Sequence, residues 1–336
     1  MIYNLPTLLK TYIRGYCHSL IIATAIKLSL PEILSDAPST TEELALKQRL
    51  NPRMLERVLR LLECLEIVTF NNNSKWQLSD IGYYLQKNIP NSFAWEVLLL
   101  THPQILSAWN ALDVGLKKNE TAYTSHFHKN FFETLKENPE MREIFQQGWR
   151  QQTKRLIPTI IEVLDLENVS HITEIAGGYG DLLRSILDYY PKLEGVLCES
   201  IHLKDKITVN FNVDHLSQRV NVLYSEALNA PFPPTDVIIC KNFLHLFDDE
   251  QVLLHLNYFQ KCLKKSGRIV LIERLIWPHR DLHEVLCMDI MMLVMIGGKE
   301  RTLEEFKDLL KKSGLILSRS KPVNEGFYLI EGKKNE

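Results

Sequence analysis

Apolar positions along residues 39–85 alternate between two periods. From Pro52 to about Leu65, Leu55, Val58, Leu59 and Leu62 recur on one face at helical spacing. Asn51 supplies an N-cap ahead of this stretch, and Pro52 suits the first helical position. Ser39 with Glu42 has capping-box spacing for a shorter helix before it. Ile67 to Phe70 and Lys75 to Leu78 then flank the polar turn 71–74, which predicts strand, turn and strand. Together these elements draw a winged-helix outline. Further helices with polar breaks are predicted over residues 90–165, including Asn130 to Leu135, Met141 to Trp149 and Lys154 to Leu164.

The period changes near residue 170. Short apolar runs at Ile172 to Ala176, Val196 to Cys198, Val220 to Leu223, Thr235 to Cys240 and Arg268 to Ile272 read as strands. Helical patterns at Asp181 to Tyr190 and Asp249 to Lys264 lie among them, so the alternation predicts a parallel sheet with helices on both faces. After the break at Ser313-Gly314, Leu315 to Arg319 and Gly326 to Ile330 read as a strand pair. The expected fold class is α/β, with a mainly helical domain over residues 1–95 and the remainder, 96–336, forming a helical connector and a Rossmann-like domain.

Composition narrows the function. The chain has 336 residues, 45% of them hydrophobic and 24% charged, which are globular values that exclude wholesale disorder. Lys and Arg number 39 against 41 Asp and Glu, so no whole-chain charge draws it to nucleic acid or anionic lipid. Within 42–87 seven basic residues face six acidic ones, a poor balance for neutralising phosphates. A packing or dimerisation module is therefore expected there rather than a DNA reader. The six cysteines form no C-x-x-C pair and read as reduced thiols of a cytoplasmic protein. The apolar run Leu20 to Ile26 is far short of the roughly 20 residues that span a bilayer.

Candidate chemistry gathers at predicted strand ends. Glu174-Ile175-Ala176-Gly177-Gly178-Tyr179-Gly180 joins the first strand of the sheet to its helix, where a nucleotide-type cofactor can approach bare backbone. A dinucleotide fingerprint starting at Gly178 would need glycine at 183, which is Leu183. Glu174 opposes a pyrophosphate but suits an ammonium or sulfonium group, and Glu199 ends the second strand where an acidic side chain grips ribose hydroxyls. S-adenosylmethionine fits both; the alternative is a tight turn whose glycines only permit close helix packing. His245 follows the fourth strand, at the edge where ligands bind in open α/β sheets. Met288, Met291, Met292 and Met295 sit at helical spacing, as core packing or as a deformable thioether wall against a flat acceptor. Asp289 among them is placed to touch substrate or cap a partner, and Trp149 belongs to an aromatic group that either packs helices or walls a substrate pocket. His126 and His128 lack a third ligand nearby, so no metal is expected.

These motifs resemble the S-adenosylmethionine-dependent O-methyltransferases of the plant caffeate and bacterial polyketide type, which include the vertebrate acetylserotonin enzyme. The likeness covers nearly the whole chain. E-I-A-G-G-Y-G at Glu174 to Gly180 is similar to the family's D-V-G-G-G-x-G, and H-L-F-D-D-E at His245 to Glu250 to its H-D-W-S-D-E. Gly297-Gly298-Lys299-Glu300-Arg301-Thr302 reproduces the family's G-G-K-E-R-T. The resemblance implies a winged-helix dimerisation domain, a Rossmann-like class I methyltransferase domain, a homodimer, a small-molecule acceptor, and neither nucleic acid nor membrane as partner. It also implies that His245 is the general base flanked by Glu273 and Glu300, that Gly177, Gly178, Gly180 and Lys241 contact the cofactor, that Glu199 holds the ribose, and that Glu226 with Ala227 takes the adenine side. Ala176 replaces the first glycine of the motif, Leu246 the aspartate after the histidine, and Ser225-Glu226-Ala227-Leu228 the family's G-D-M-F. Two alternatives stay open: a relative that keeps the cofactor without methylating, and a winged-helix regulator, against which the charge balance stands.

Overall fold

Asn51 caps its helix as the spacing predicts, its side chain accepting the N–H groups of Arg53 and Met54 at the start of the Pro52–Cys64 helix. The computed structural model of the chain describes residues 5–212, 214–225, 232–277 and 281–334. Two compact units divide it: Met1–Leu106 with Leu135–Gln152, and Ser107–Thr134 with Thr153–Glu336.

In the first unit, the helices Leu5–Ile13, Gly15–Lys27, Leu30–Asp36, Thr41–Gln48 and Pro52–Cys64 precede an antiparallel pair, β1 (Val68–Phe70) and β2 (Trp76–Leu78). Leu44, Leu55, Leu59, Leu62, Ile67, Val68 and Trp76 are buried together, so the apolar stripe of the Pro52–Cys64 helix faces the core. One boundary differs from the sequence reading. The capping box is Thr40 with Glu43, not Ser39 with Glu42. Ser39 instead exchanges both backbone hydrogen bonds with Trp76, at 2.9 and 2.8 Å, and so stays extended. The segments read as separate helices around Met141 to Trp149 and Lys154 to Leu164 form a single helix, Pro139–Val163, with Pro158 inside it. The polar stretch between them, Arg150 to Lys154, is made largely of good helix formers, so it carries the helix through rather than breaking it.

The second unit is built on a seven-stranded sheet of order β5-β4-β3-β6-β7-β9-β8. Its strands are β3 (His171–Ile175), β4 (Glu194–Glu199), β5 (Val220–Tyr224), β6 (Thr235–Lys241), β7 (Leu263–Arg274), β8 (Leu315–Pro322) and β9 (Phe327–Lys334). The first five run parallel, as the alternation with helices predicts. The sheet as a whole is mixed, however, because β9 is antiparallel to both β7 and β8. A short turn joins β8 to β9, and only antiparallel strands can be joined that way.

Alternate residues of each strand feed opposite faces of the sheet. Ile172, Val237, Ile239 and Ile272 pack with Leu156, Ile160, Leu182 and Ile186 on one face. Ile175, Ile238, Cys240 and Leu271 pack with Val252, Leu256, Phe306 and Leu309 on the other. Register pairs Ile175 with Cys240 and Cys240 with Leu271, so the carboxyl ends of β3, β6 and β7 sit side by side. Open α/β sheets bind ligands at this edge. Among the described residues no single helix is long and apolar enough to cross a membrane.

Candidate active site

The loop after β3 turns through left-handed backbone at Ala176 (φ 54°), Gly178 (62°) and Gly180 (78°). Gly177 is required by close approach: a Cβ there would stand 2.4 Å from the carboxyl carbon of Glu174. Glu174 itself is buried and accepts the Leu183 N–H at 3.2 Å. Burial, reinforced by Glu199 and Asp181 and only partly offset by that hydrogen bond, lifts its pKa to about 8. Through its hydrogen bond to the Leu183 amide the Glu174 side chain also braces the loop from beneath.

Glu199, at the end of β4, closes the loop from the side. Its carboxylate accepts the N–H groups of Gly178 and Ser200, each at 2.7 Å, and burial raises its pKa to about 7. Lys241 ends β6. Burial and then the neighbouring Arg274 lower its pKa to about 7, against the pull of Glu273 and Glu174. Glu226 and Ala227 lie outside the described residues.

Past Lys241 the chain enters a single 3-10 turn, Leu244–Leu246, that carries the buried His245. Glu273, near the end of β7, accepts the N–H groups of Phe243 and Leu244 at 2.9 and 2.8 Å and so fixes this turn. The imidazole Nδ1 lies 2.9 Å from Oε1 of Glu300. With Nδ1 donating to that carboxylate, Nε2 keeps the lone pair and can accept a proton. The second oxygens of Glu273 and Glu300 are buried and make no hydrogen bond among the described residues. Burial, with Glu300 adding to it, pushes the Glu273 carboxyl above its ordinary range. Ligand atoms of the three side chains all lie within 4.8 Å of one another, close enough to share a proton network or to hold a cation.

Residues 297–302 clamp the histidine turn. A Cβ on Gly298 would stand 2.0 Å from the His245 carbonyl oxygen, and the next amide, Lys299 N–H, donates to that oxygen at 3.0 Å. Arg301 is wholly buried and donates to the carbonyls of Leu244 (3.1 Å) and Phe247 (2.8 Å) and to Asp249 (2.8 Å). The sequence motif points to Glu300 but gives no sign of this arginine clamp, which depends on where the carbonyls of a distant turn lie. Asp289, expected to touch substrate or cap a partner, accepts the Glu300 N–H at 2.9 Å. Met288 and Met292 are buried on the same helix, Leu282–Met295. Trp149 belongs to the first unit, with its ring 6.0 Å from that of Phe145.

Comparison with known proteins agrees with this construction. Residues 109–316 match the O-methyltransferase domain, and residues 11–87 match the O-methyltransferase dimerisation domain. The phenazine O-methyltransferase of Lysobacter antibioticus is 25% identical over 98% of this chain and 96% of its own. The mitomycin biosynthesis 6-O-methyltransferase of Streptomyces lavendulae is 26% identical over 91% of this chain and 87% of its own. Human N-acetylserotonin methyltransferase, solved in complex with S-adenosylmethionine, has the same fold with a TM-score of 0.89 at 18% identity, over 99% of this chain and 98% of its own. A glycine loop braced by two carboxylates, a buried histidine on a carboxylate and a dimerisation domain ahead of them converge on one conclusion: the chain belongs to this O-methyltransferase family and is an S-adenosylmethionine-dependent O-methyltransferase.

Proposed function

We propose that the acceptor is a small aromatic or polyketide-like hydroxyl compound and that His245 removes its proton as the methyl group is transferred. The observation that carries this reading is the His245 Nδ1 to Glu300 distance of 2.9 Å inside a buried site. A carboxylate so placed holds the imidazole in the tautomer that accepts at Nε2 and stabilises the imidazolium that results. Glu273 contributes by holding the turn that carries the histidine, and Asp289 by holding the amide of Glu300.

The residues at the sheet edge fit the cofactor. The bare backbone around Gly177, Gly178 and Gly180, with Glu174 beneath it, would cradle the amino-acid end, Glu199 would take the ribose and Lys241 would lie alongside; Glu226 and Ala227, outside the described residues, are assigned to the adenine side by the family resemblance alone. The cofactor supplies a methyl group already on a sulfonium, so the protein has only to align the acceptor oxygen, exclude water and take its proton. Met288 and Met292 offer polarisable thioethers to a flat acceptor, in keeping with relatives named for phenazine and mitomycin chemistry. Residues 1–95 serve as the dimerisation domain of a cytoplasmic homodimer that engages neither nucleic acid nor membrane.

The test is incubation with methyl-labelled S-adenosylmethionine and a panel of phenols, anilines and thiols, with and without a chelator. Label on a phenolic oxygen, unchanged by the chelator, is expected. Label on nitrogen alone, or an acceptor altered without gaining a methyl group, would overturn the proposal.

A further inference from the structure

The end of β7 directs two adjacent side chains to opposite faces of the sheet. Glu273 faces the histidine turn, whereas Arg274 shares the other face with Lys241 at the end of β6. Arg274 is 1% exposed, and its Nε and Nη1 groups make no hydrogen bond among the described residues. Its guanidinium carbon lies 4.2 Å from the centre of the Phe327 ring, the residue opposite it on β9, and the Lys241 Nζ lies 5.4 Å from the same ring. The Phe327 ring thus borders two basic side chains, of which Arg274 is buried and Lys241 half-buried.

Nearby carboxyl groups leave the Arg274 guanidinium under-compensated. Glu325 already binds Arg155 through both oxygens, at 2.8 and 3.1 Å. Glu174 holds its proton near neutrality, with a pKa of about 8. Glu273 is tied to the amides of Phe243 and Leu244. A buried guanidinium with unmatched N–H groups is costly, and the natural complement of a planar, forked cation is a planar anion.

We infer that Arg274, with Lys241 beside it on Phe327, forms a carboxylate-binding subsite at the β6 and β7 edge. The inference rests on the S-adenosylmethionine site assigned above, because the α-carboxylate of that cofactor is one source of the anion; a carboxylate on the acceptor is the other. Burial and contact with the Phe327 ring restrain the guanidinium before the ligand arrives, so little ordering remains to oppose binding.

Calorimetric titration of the full chain separates the sources. S-adenosylhomocysteine carries the α-carboxylate, 5′-methylthioadenosine lacks the whole amino-acid end, and 4-hydroxybenzoate can be compared with its methyl ester. In Arg274→Met, a loss of about 10- to 100-fold in affinity for S-adenosylhomocysteine, with 5′-methylthioadenosine within about 2-fold of wild type, supports the subsite with the cofactor as source. Unchanged nucleoside binding with a comparable loss for 4-hydroxybenzoate, but not for its ester, supports it with the acceptor as source. Affinities all unchanged, or all weakened alike in a protein that melts as the wild type does, would overturn it. Arg274→Gln, neutral and closer in shape, takes the same measurements should the methionine variant fail to fold, and Arg274→Lys should recover part of the lost affinity. A wild-type chain that binds neither nucleoside would instead refute the cofactor site on which the subsite depends, and the subsite with it.

Discussion

At the scale of single residues, the sequence marks Ala176 because a methyl group stands where the family has glycine. The structure adds that its backbone lies at φ 54°, a conformation costing an L-residue roughly 1–2 kcal/mol. Ala176→Gly removes that strain while loosening the unfolded chain, so a net gain of about 0.5–1 kcal/mol is expected in urea unfolding; a loss would show that the methyl group packs usefully. Glu174 and Glu199 make a second residue-scale case. Their positions at strand ends are legible in the sequence, but their charge is not, since it depends on burial. Folding raises both pKa values, to about 8 and about 7, so between pH 4.5 and 8 the folded chain binds more protons than the unfolded one. The stability they contribute is therefore complete below about pH 4.5 and is lost as pH rises through 7 to 8, by at most about 1.4 kcal/mol per pH unit for each group. Glu174→Gln should flatten that decline in denaturant midpoints measured from pH 5 to 8; an unchanged slope would show that Glu174 is ionised throughout.

At the scale of elements, legibility follows how local the determinants are. The Pro52–Cys64 helix is readable because cap, proline and apolar stripe agree within one segment. The Pro139–Val163 helix is not, because the polar residues in its middle read as a break when only their helix-forming tendency decides the matter. The start of the Thr41–Gln48 helix is misplaced by one residue because Ser39 is claimed by Trp76, a partner far along the chain. The pairing of residues 297–302 with the histidine turn is likewise a long-range fact, although each motif stands out alone. It yields a prediction at this scale: Gly298→Ala places a Cβ against the His245 carbonyl, where only 2.0 Å is available, and must push the two segments apart. Turnover should fall by about 10²-fold or more through misalignment of His245 and Glu300, with S-adenosylhomocysteine affinity within about 3-fold of wild type. Unchanged turnover would show that the two segments tolerate separation.

At the scale of the whole molecule, strand order assembles the site. Glu174, Lys241 and Glu273 come from β3, β6 and β7, which are neighbours in the sheet although widely separated in sequence. The alternating pattern predicts the parallel strands; the insertion of β9 between β7 and β8 is a matter of topology that no local pattern encodes. Leu9, Tyr12, Ile13 and Tyr16 are each more than half exposed on the first two helices, an apolar surface suited to the proposed dimer. Sedimentation should give a dimer for the wild type and a monomer for Ile13→Glu combined with Tyr16→Glu; a monomeric wild type would refute the dimer. The mechanism itself is decided by the rate of methyl transfer at saturating S-adenosylmethionine in His245→Ala against wild type. We expect a fall of roughly 10²- to 10⁴-fold with cofactor affinity retained, whereas equal rates would remove His245 from the reaction and contradict the assignment of the general base.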